Sequence, residues 1–175
     1  GPGDPDGDGF VEYECATAQG LVNQGWKDTY DGVFHADGRL AEGAIALVEV
    51  QGYVYAAKRM AAMLAQRLGR DREAARLDAE ADRLRDRFER AFWCPEIETY
   101  ALALDGDKMP CRVRTSNAGQ VLFTGIAKLD RAIEVADGLL RPQFFSGWGI
   151  RTIANTEARY NPMSYHNGSV WPHDR

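Results

Sequence analysis

Apolar and polar positions alternate along this chain in blocks of different period. Over residues 41–69, Ile45, Val48, Tyr53, Ala56, Met60 and Leu64 recur at three-, four- and five-residue steps in an Ala-dense stretch, which predicts a long helix. Leu47, Val50, Val54 and Ala61 make its other side apolar too, so burial nearly all round is expected, with Gly69 as the stop. Residues 71–93 read differently. Leu77, Ala81, Leu84, Phe88 and Phe92 form one stripe, and Arg72, Glu73, Arg76, Glu80, Arg83, Arg87 and Arg90 cover the rest. That is an amphipathic helix with a solvated outer face, and the two segments together predict an αα-hairpin. Turn residues in "LDGDKMP" predict a small β-hairpin or loop within 96–114. A third helix is expected over 117–127 with Ser116 as its cap, and a fourth over 129–140 ahead of Pro142. Residues 1–40 and 143–175 have no such period; they are loops rich in Gly, Asp and aromatics.

With 175 residues, 45% of them apolar, the chain suits one globular domain or a piece of one. Its opening "GPGDPDGDGF" and its ending "SVWPHDR" both read as internal to a longer protein. A net charge of -5 argues against nucleic-acid binding, and charges interrupt every apolar run that would need to span a membrane. Cys15, Cys94 and Cys111 are odd in number and lack metal-ligand spacing, which fits reduced thiols in a cytoplasmic protein.

Three loops carry candidate chemistry. In "DPDGDGFVEYE", Asp4, Asp6 and Asp8 alternate ahead of Gly9, the Phe10 carbonyl and Glu12, which is the ligand order of a Ca²⁺ loop. Cys15 stands where an EF-hand needs its bidentate Glu, and "FVEYE" alternates like a strand, so the choice is between another kind of calcium loop, with Glu42 or Glu49 closing the shell, and an acidic turn in solvent. The second loop, "LVNQGWKDTYDGVFHADG", gathers Trp26, Asp28, Tyr30, Asp31, His35 and Asp37. Aromatic faces and carboxylates are what a sugar needs, and a carboxyl held against an indole is favoured in the neutral form that a general acid requires. The bland alternative is a Trp capping a core beside a solvated Asp. The third loop concentrates Trp148, Tyr165, His166, Asn167, Trp171, His173 and Asp174. His166 and His173 lack zinc spacing, and Ser169 in "HNGSVW" is not in a nucleophile elbow.

Together, "GDPDGDGFVEYE", "GLVNQGWKDTYD", "VFHADGRLAEG", "ALVEVQGYVYAAKR", "SNAGQVLFTGIA", "FSGWGIRTIA" and "YNPMSYHNGSVWPHD" resemble bacterial amylo-α-1,6-glucosidases and glycogen-debranching-type glycoside hydrolases, similar in turn to glucosidase I-type and trehalase-type enzymes. The resemblance implies an all-α fold, an (α/α)6 barrel of which residues 1–175 are about half of one catalytic domain, with a small β-hairpin insertion. It implies an inverting hydrolase of α-glucosidic bonds in oligo- or polysaccharides, with Asp28 as general acid. Trp26, His35, Trp148, Tyr165, His166, Asn167 and Trp171 would contact sugar, and Asp4, Asp6, Asp8, Phe10 and Glu12 would hold a structural Ca²⁺. The water-activating base of this family lies beyond the "VWPHD" motif, hence outside this chain, which is expected to be inactive alone and to self-associate through uncovered helix faces. The rival readings are a non-catalytic carbohydrate-binding helical protein and a tetratricopeptide-like scaffold; the absence of a 34-residue self-similarity opposes the second.

Overall fold

Two helical hairpins stand side by side in the computed structural model, which describes residues 3–17 and 19–172. The first is α1 (Val48–Arg67) with α2 (Asp71–Ala91); the second is α3 (Asn117–Thr124) with α4 (Leu129–Leu140). α1 packs on both α2 and α3, and α3 packs on α4. At the α1–α3 contact the chain uses Gly52, where an added Cβ would fall 2.8 Å from Thr124 Oγ1.

The long helix starts seven residues later than its periodicity suggests. Ala46–Leu47 form a short strand, β1, pairing antiparallel with β4 (Ala103–Leu104), and Ile45 bridges to Tyr13. Backbone donors that a helix would use are thus taken by a sheet. The end is as expected: Gly69 has φ +71°, its N–H bonds the Gln66 carbonyl at 3.0 Å, and the Arg70 N–H reaches the Ala65 carbonyl at 2.8 Å. These are the two bonds of a Schellman cap, and that left-handed position suits glycine.

Burial all round α1 is not observed. Gln51, Tyr55, Ala62 and Ala65 are buried, whereas Met60, Met63 and Leu64 are at least half exposed, and Tyr53, also exposed, meets the exposed Phe123 ring. Of the helices, α2 and α3 pack against it, and the Val11 backbone bonds its Gln51. The third helix stops at Thr124, because Gly125 turns left-handed at φ +73°. Ser116 does not cap it; its hydroxyl donates to the Thr152 carbonyl at 3.4 Å.

The expected hairpin region resolves into two ladders. β2 (Trp93–Cys94) pairs with β3 (Thr99–Tyr100), and a turn at 105–109 returns the chain from β4 to Pro110. In place of the strand suggested by "FVEYE", an isolated bridge forms at Tyr13.

The main core lies between the hairpins. Phe88 of α2 stacks on Phe92 and Tyr100, each with ring centroids 4.9 Å away, and Val121, Val135 and Leu139 close the other side. Two smaller apolar groups sit beneath the loops: Val33, Ile45, Leu47, Leu102 and Cys111, and then Phe34, Val113 and Ile153. The three cysteines are free thiols, and burial pushes the Cys111 thiol up to about 12, so it stays neutral. No helix among the described residues is long and apolar enough to cross a membrane.

Candidate active site

The segment Asn23–Gly32 has no regular structure, so side chains must hold it. Asn23 is buried; its amide donates to the Thr29 carbonyl at 2.7 Å, and its oxygen accepts the Tyr13 hydroxyl at 2.8 Å. Lys27 is also buried and donates from Nζ to the Thr152 carbonyl at 2.7 Å. A cation this deep needs such an acceptor. With residues 27 and 29 both turned into the protein, Asp28 between them is turned out; its side chain is 52% exposed.

Across from Asp28 lies the third loop. His166 is buried, with Nδ1 3.9 Å from Asp28 Oδ1 and 3.2 Å from Thr29 Oγ1. Three further rings surround its imidazole. Trp26 meets it edge-on at 5.5 Å, Tyr165 at 4.5 Å, and Trp171 lies tilted at 5.7 Å. The Trp171 indole N–H is fixed on the Tyr165 carbonyl at 2.8 Å, and Asn167, buried, donates to the Asp31 carbonyl at 3.1 Å. One carboxyl group, half open to solvent, therefore lies beside a cluster of aromatic rings gathered on His166. That arrangement can donate a proton to an oxygen of a sugar stacked on the rings.

Six of the eight predicted acid and sugar-contact residues are thus brought into one neighbourhood: Asp28, Trp26, Tyr165, His166, Asn167 and Trp171. His35 is placed elsewhere. Its Nε2 lies 3.1 Å from Asp105 Oδ2 and 3.9 Å from Cys111 Sγ, so its partners belong to the 103–111 hairpin. Trp148 stands on the turn Ser146–Gly149, 86% exposed and not among those rings. His173 and Asp174 lie outside the described residues. Lys27, Thr29 and Thr152 were not picked out from sequence. Lys27 sits inside the "GWKD" motif, but its partner is 125 positions away, and no local signal reports that.

A more enclosed cavity of about 260 Å³ lies away from this chemistry, lined by Ile97, Glu98, Arg114, Leu139, Arg141 and Phe144. Its arginines are paired, Arg141 with Glu98 at 3.0 Å and Arg114 with Glu157 at 3.5 Å. Burial raises the Glu157 carboxyl above the usual range despite Arg114. In the acidic loop, carboxylate oxygens of Asp4, Asp6 and Asp8 lie within 4.8 Å of one another.

Solved structures share this fold. The GH63 mannosylglycerate hydrolase from Thermus thermophilus, in complex with glucose, has a TM-score of 0.63 at 23% identity over 75% of this chain and 31% of that one. A sialidase gives 0.71 at 16% identity, covering 90% of this chain and 15% of its own. Neutral trehalase Nth1 from Saccharomyces cerevisiae gives 0.59 at 13%, covering 66% and 22%. The fold is that of (α/α)6-barrel glycosidases, of which this chain makes up part; it spans about a third of the Thermus enzyme's length. No curated protein matches the chain. The matching family is described as the mannosylglycerate hydrolase MGH1-like glycoside hydrolase domain and extends over residues 8–174, so the resemblance holds at the level of these six-hairpin glycosidases without reaching amylo-α-1,6-glucosidase itself. The chain belongs to the MGH1-like glycoside hydrolase family.

Proposed function

We propose that this chain is the acid-bearing part of an inverting glycoside hydrolase acting on an α-linked glucoside or related hexoside, with Asp28 as the general acid. The observation that carries the reading is the position of Asp28: outward-facing, 3.9 Å from His166, and rimmed by Trp26, Tyr165 and Trp171. The rings offer an apolar face to one side of a pyranose. Asp28 then reaches the glycosidic oxygen and protonates it as the bond to the anomeric carbon breaks. His166 and Thr29 hold the region polar without competing for the leaving group. Inversion needs a second carboxylate, about 6.5–9.5 Å from the first, to activate water on the opposite face. In this proposal that base comes from a part of the barrel outside residues 1–175, and the chain alone does not turn over.

The family description and the solved neighbours, a mannosylglycerate hydrolase and a trehalase, favour a small α-hexoside over the branch point of a glycogen-type polymer. The test uses the complete enzyme and a panel of mannosylglycerate, trehalose, isomaltose and a branched α-1,6-linked glucan. Asp28→Asn should lower kcat about 10²–10⁴-fold with little change in KM. Near-normal turnover by that variant on the best substrate would remove Asp28 from the role.

A further inference from the structure

We propose that Lys108 is the cation of the acidic loop, standing where a calcium ion would sit and making the loop independent of metal. The loop has the internal wiring of a calcium loop. Asp6 Oδ1 accepts the Asp8 N–H at 3.1 Å, Asp8 Oδ1 accepts the Phe10 N–H at 2.8 Å, and Asp4 Oδ2 accepts the Gly9 N–H at 3.2 Å. Each aspartate thereby commits one oxygen to the backbone.

The other oxygens of Asp6 and Asp8 converge on the Lys108 ammonium. Asp6 Oδ2 is 2.9 Å from Nζ and Asp8 Oδ2 is 3.0 Å from it. Glu12, the fifth residue of the expected ligand set, also gives Oε1 to the same ammonium. An ammonium carries three N–H donors, and three carboxylates meet it here. The Glu12 side chain is only 2% exposed, so its charge needs a close counter-ion. Calcium requires six to eight oxygens, and three of the oxygens this loop could give are held by Lys108. The donor set therefore does not fit a metal while Lys108 stays in place.

Lys108 is delivered by the fold. It lies in the turn after β4 at φ +60°, with its N–H on the Asp105 carbonyl at 2.9 Å. A second cation stands close by, since an added Cβ at Gly9 would fall 2.2 Å from the Arg87 guanidinium of α2. The loop matters to the site through a short relay. Glu12 precedes Tyr13, whose hydroxyl donates to Asn23, whose amide holds the Thr29 carbonyl beside Asp28.

The experiment compares thermal unfolding in EDTA and in millimolar calcium chloride, with calcium binding read by titration calorimetry. The wild-type protein should melt at the same temperature in both and give no binding heat at millimolar calcium. Lys108→Met should melt several degrees lower in EDTA and recover in calcium, because its loop now lacks a cation and keeps its oxygens. Lys108→Arg, which retains the charge, should stay indifferent to calcium. Calcium binding by the wild type would overturn the proposal on its own, even if Lys108→Met fails to fold. So would a folded Lys108→Met no more responsive to calcium than the wild type.

Discussion

Glu89 of α2 is a demanding test of how the two hairpins are joined. Its side chain is 4% exposed and accepts the Tyr100 hydroxyl at 2.9 Å, the Lys128 N–H at 2.7 Å and the Arg131 guanidinium, while its own carbonyl takes Arg131 Nη1 at 2.8 Å. Burial, and then the Glu89 carboxylate itself, push the Tyr100 phenol up, so it remains a donor throughout the neutral range. Glu89→Ala strands a fully buried hydroxyl and a half-buried amide, at about 1–3 kcal/mol each. Arg131 can still reach water through its 24% exposed side chain, so the lost ion pair counts for less than a sealed one. The sum is about 2–6 kcal/mol, which in a chain of this size lowers Tm by roughly 4–24 °C. Glu89→Gln keeps Oε1 for Tyr100 and Lys128 but loses the charge and puts an amide NH2 where Oε2 accepted Arg131, which can turn to water, costing about 1–2 kcal/mol. Urea unfolding of both variants gives the two numbers, and a double-mutant cycle with Arg131→Leu isolates the pair. If Glu89→Ala costs under about 1 kcal/mol, or if the two variants cost the same, the network does not join the hairpins as argued.

Two further outcomes are expected. Hydrogen bonding from Lys58 holds the Glu80 carboxyl below its usual range, with burial opposing it, so the stability it contributes is present above about pH 4.5 and lost as pH falls through the lowered folded value. Glu80→Gln should therefore weaken the protein at pH 6–7, by less than about 1 kcal/mol for such a part-exposed pair, and be neutral near pH 2; an unchanged gap at both ends would disprove the linkage. The apolar face of α1, where Met60 and Leu64 are 58% and 57% exposed, should make the 175-residue chain self-associate and bind a hydrophobic dye. Replacing both residues with Glu should reduce dye binding and light scattering while leaving helical circular dichroism unchanged; equal scattering before and after would move the sticky surface elsewhere.

The helices were legible because their signals are local. Charges on every turn of 71–91 leave one apolar stripe, and a stripe needs no knowledge of what it meets. β1 was not legible: Ala46 and Leu47 continue the apolar run of α1, and only the partner strand some 57 residues away, at 103–104, turns them out of the helix. Asp28 was placed by motif likeness, and its surroundings by the aromatic content of two distant loops. The bland reading of the acidic loop and the calcium reading both overlooked Lys108. Its approach to Glu12 spans 96 positions, and nothing in "DGDKMP" marks that lysine as a partner for "DPDGDGFVE". The His35 partner was hidden for a similar reason: Asp105 lies 70 positions on, in the segment expected as a small β-hairpin or loop, and no local signal joins the two.

The Thr152 carbonyl accepts Lys27 Nζ, the Ser116 N–H and the Ser116 hydroxyl, so one backbone oxygen ties the Asp28 turn to the start of α3. A carbonyl is common to every residue type. Replacement of Thr152 can therefore leave this anchor untouched, provided the chain keeps its path, whereas replacement of Lys27 deletes it. Mutational tolerance on the two sides of this single contact is thus unequal: the placement of Asp28 depends on the identity of its sequence neighbour, and only on the shape of the chain that neighbour grips.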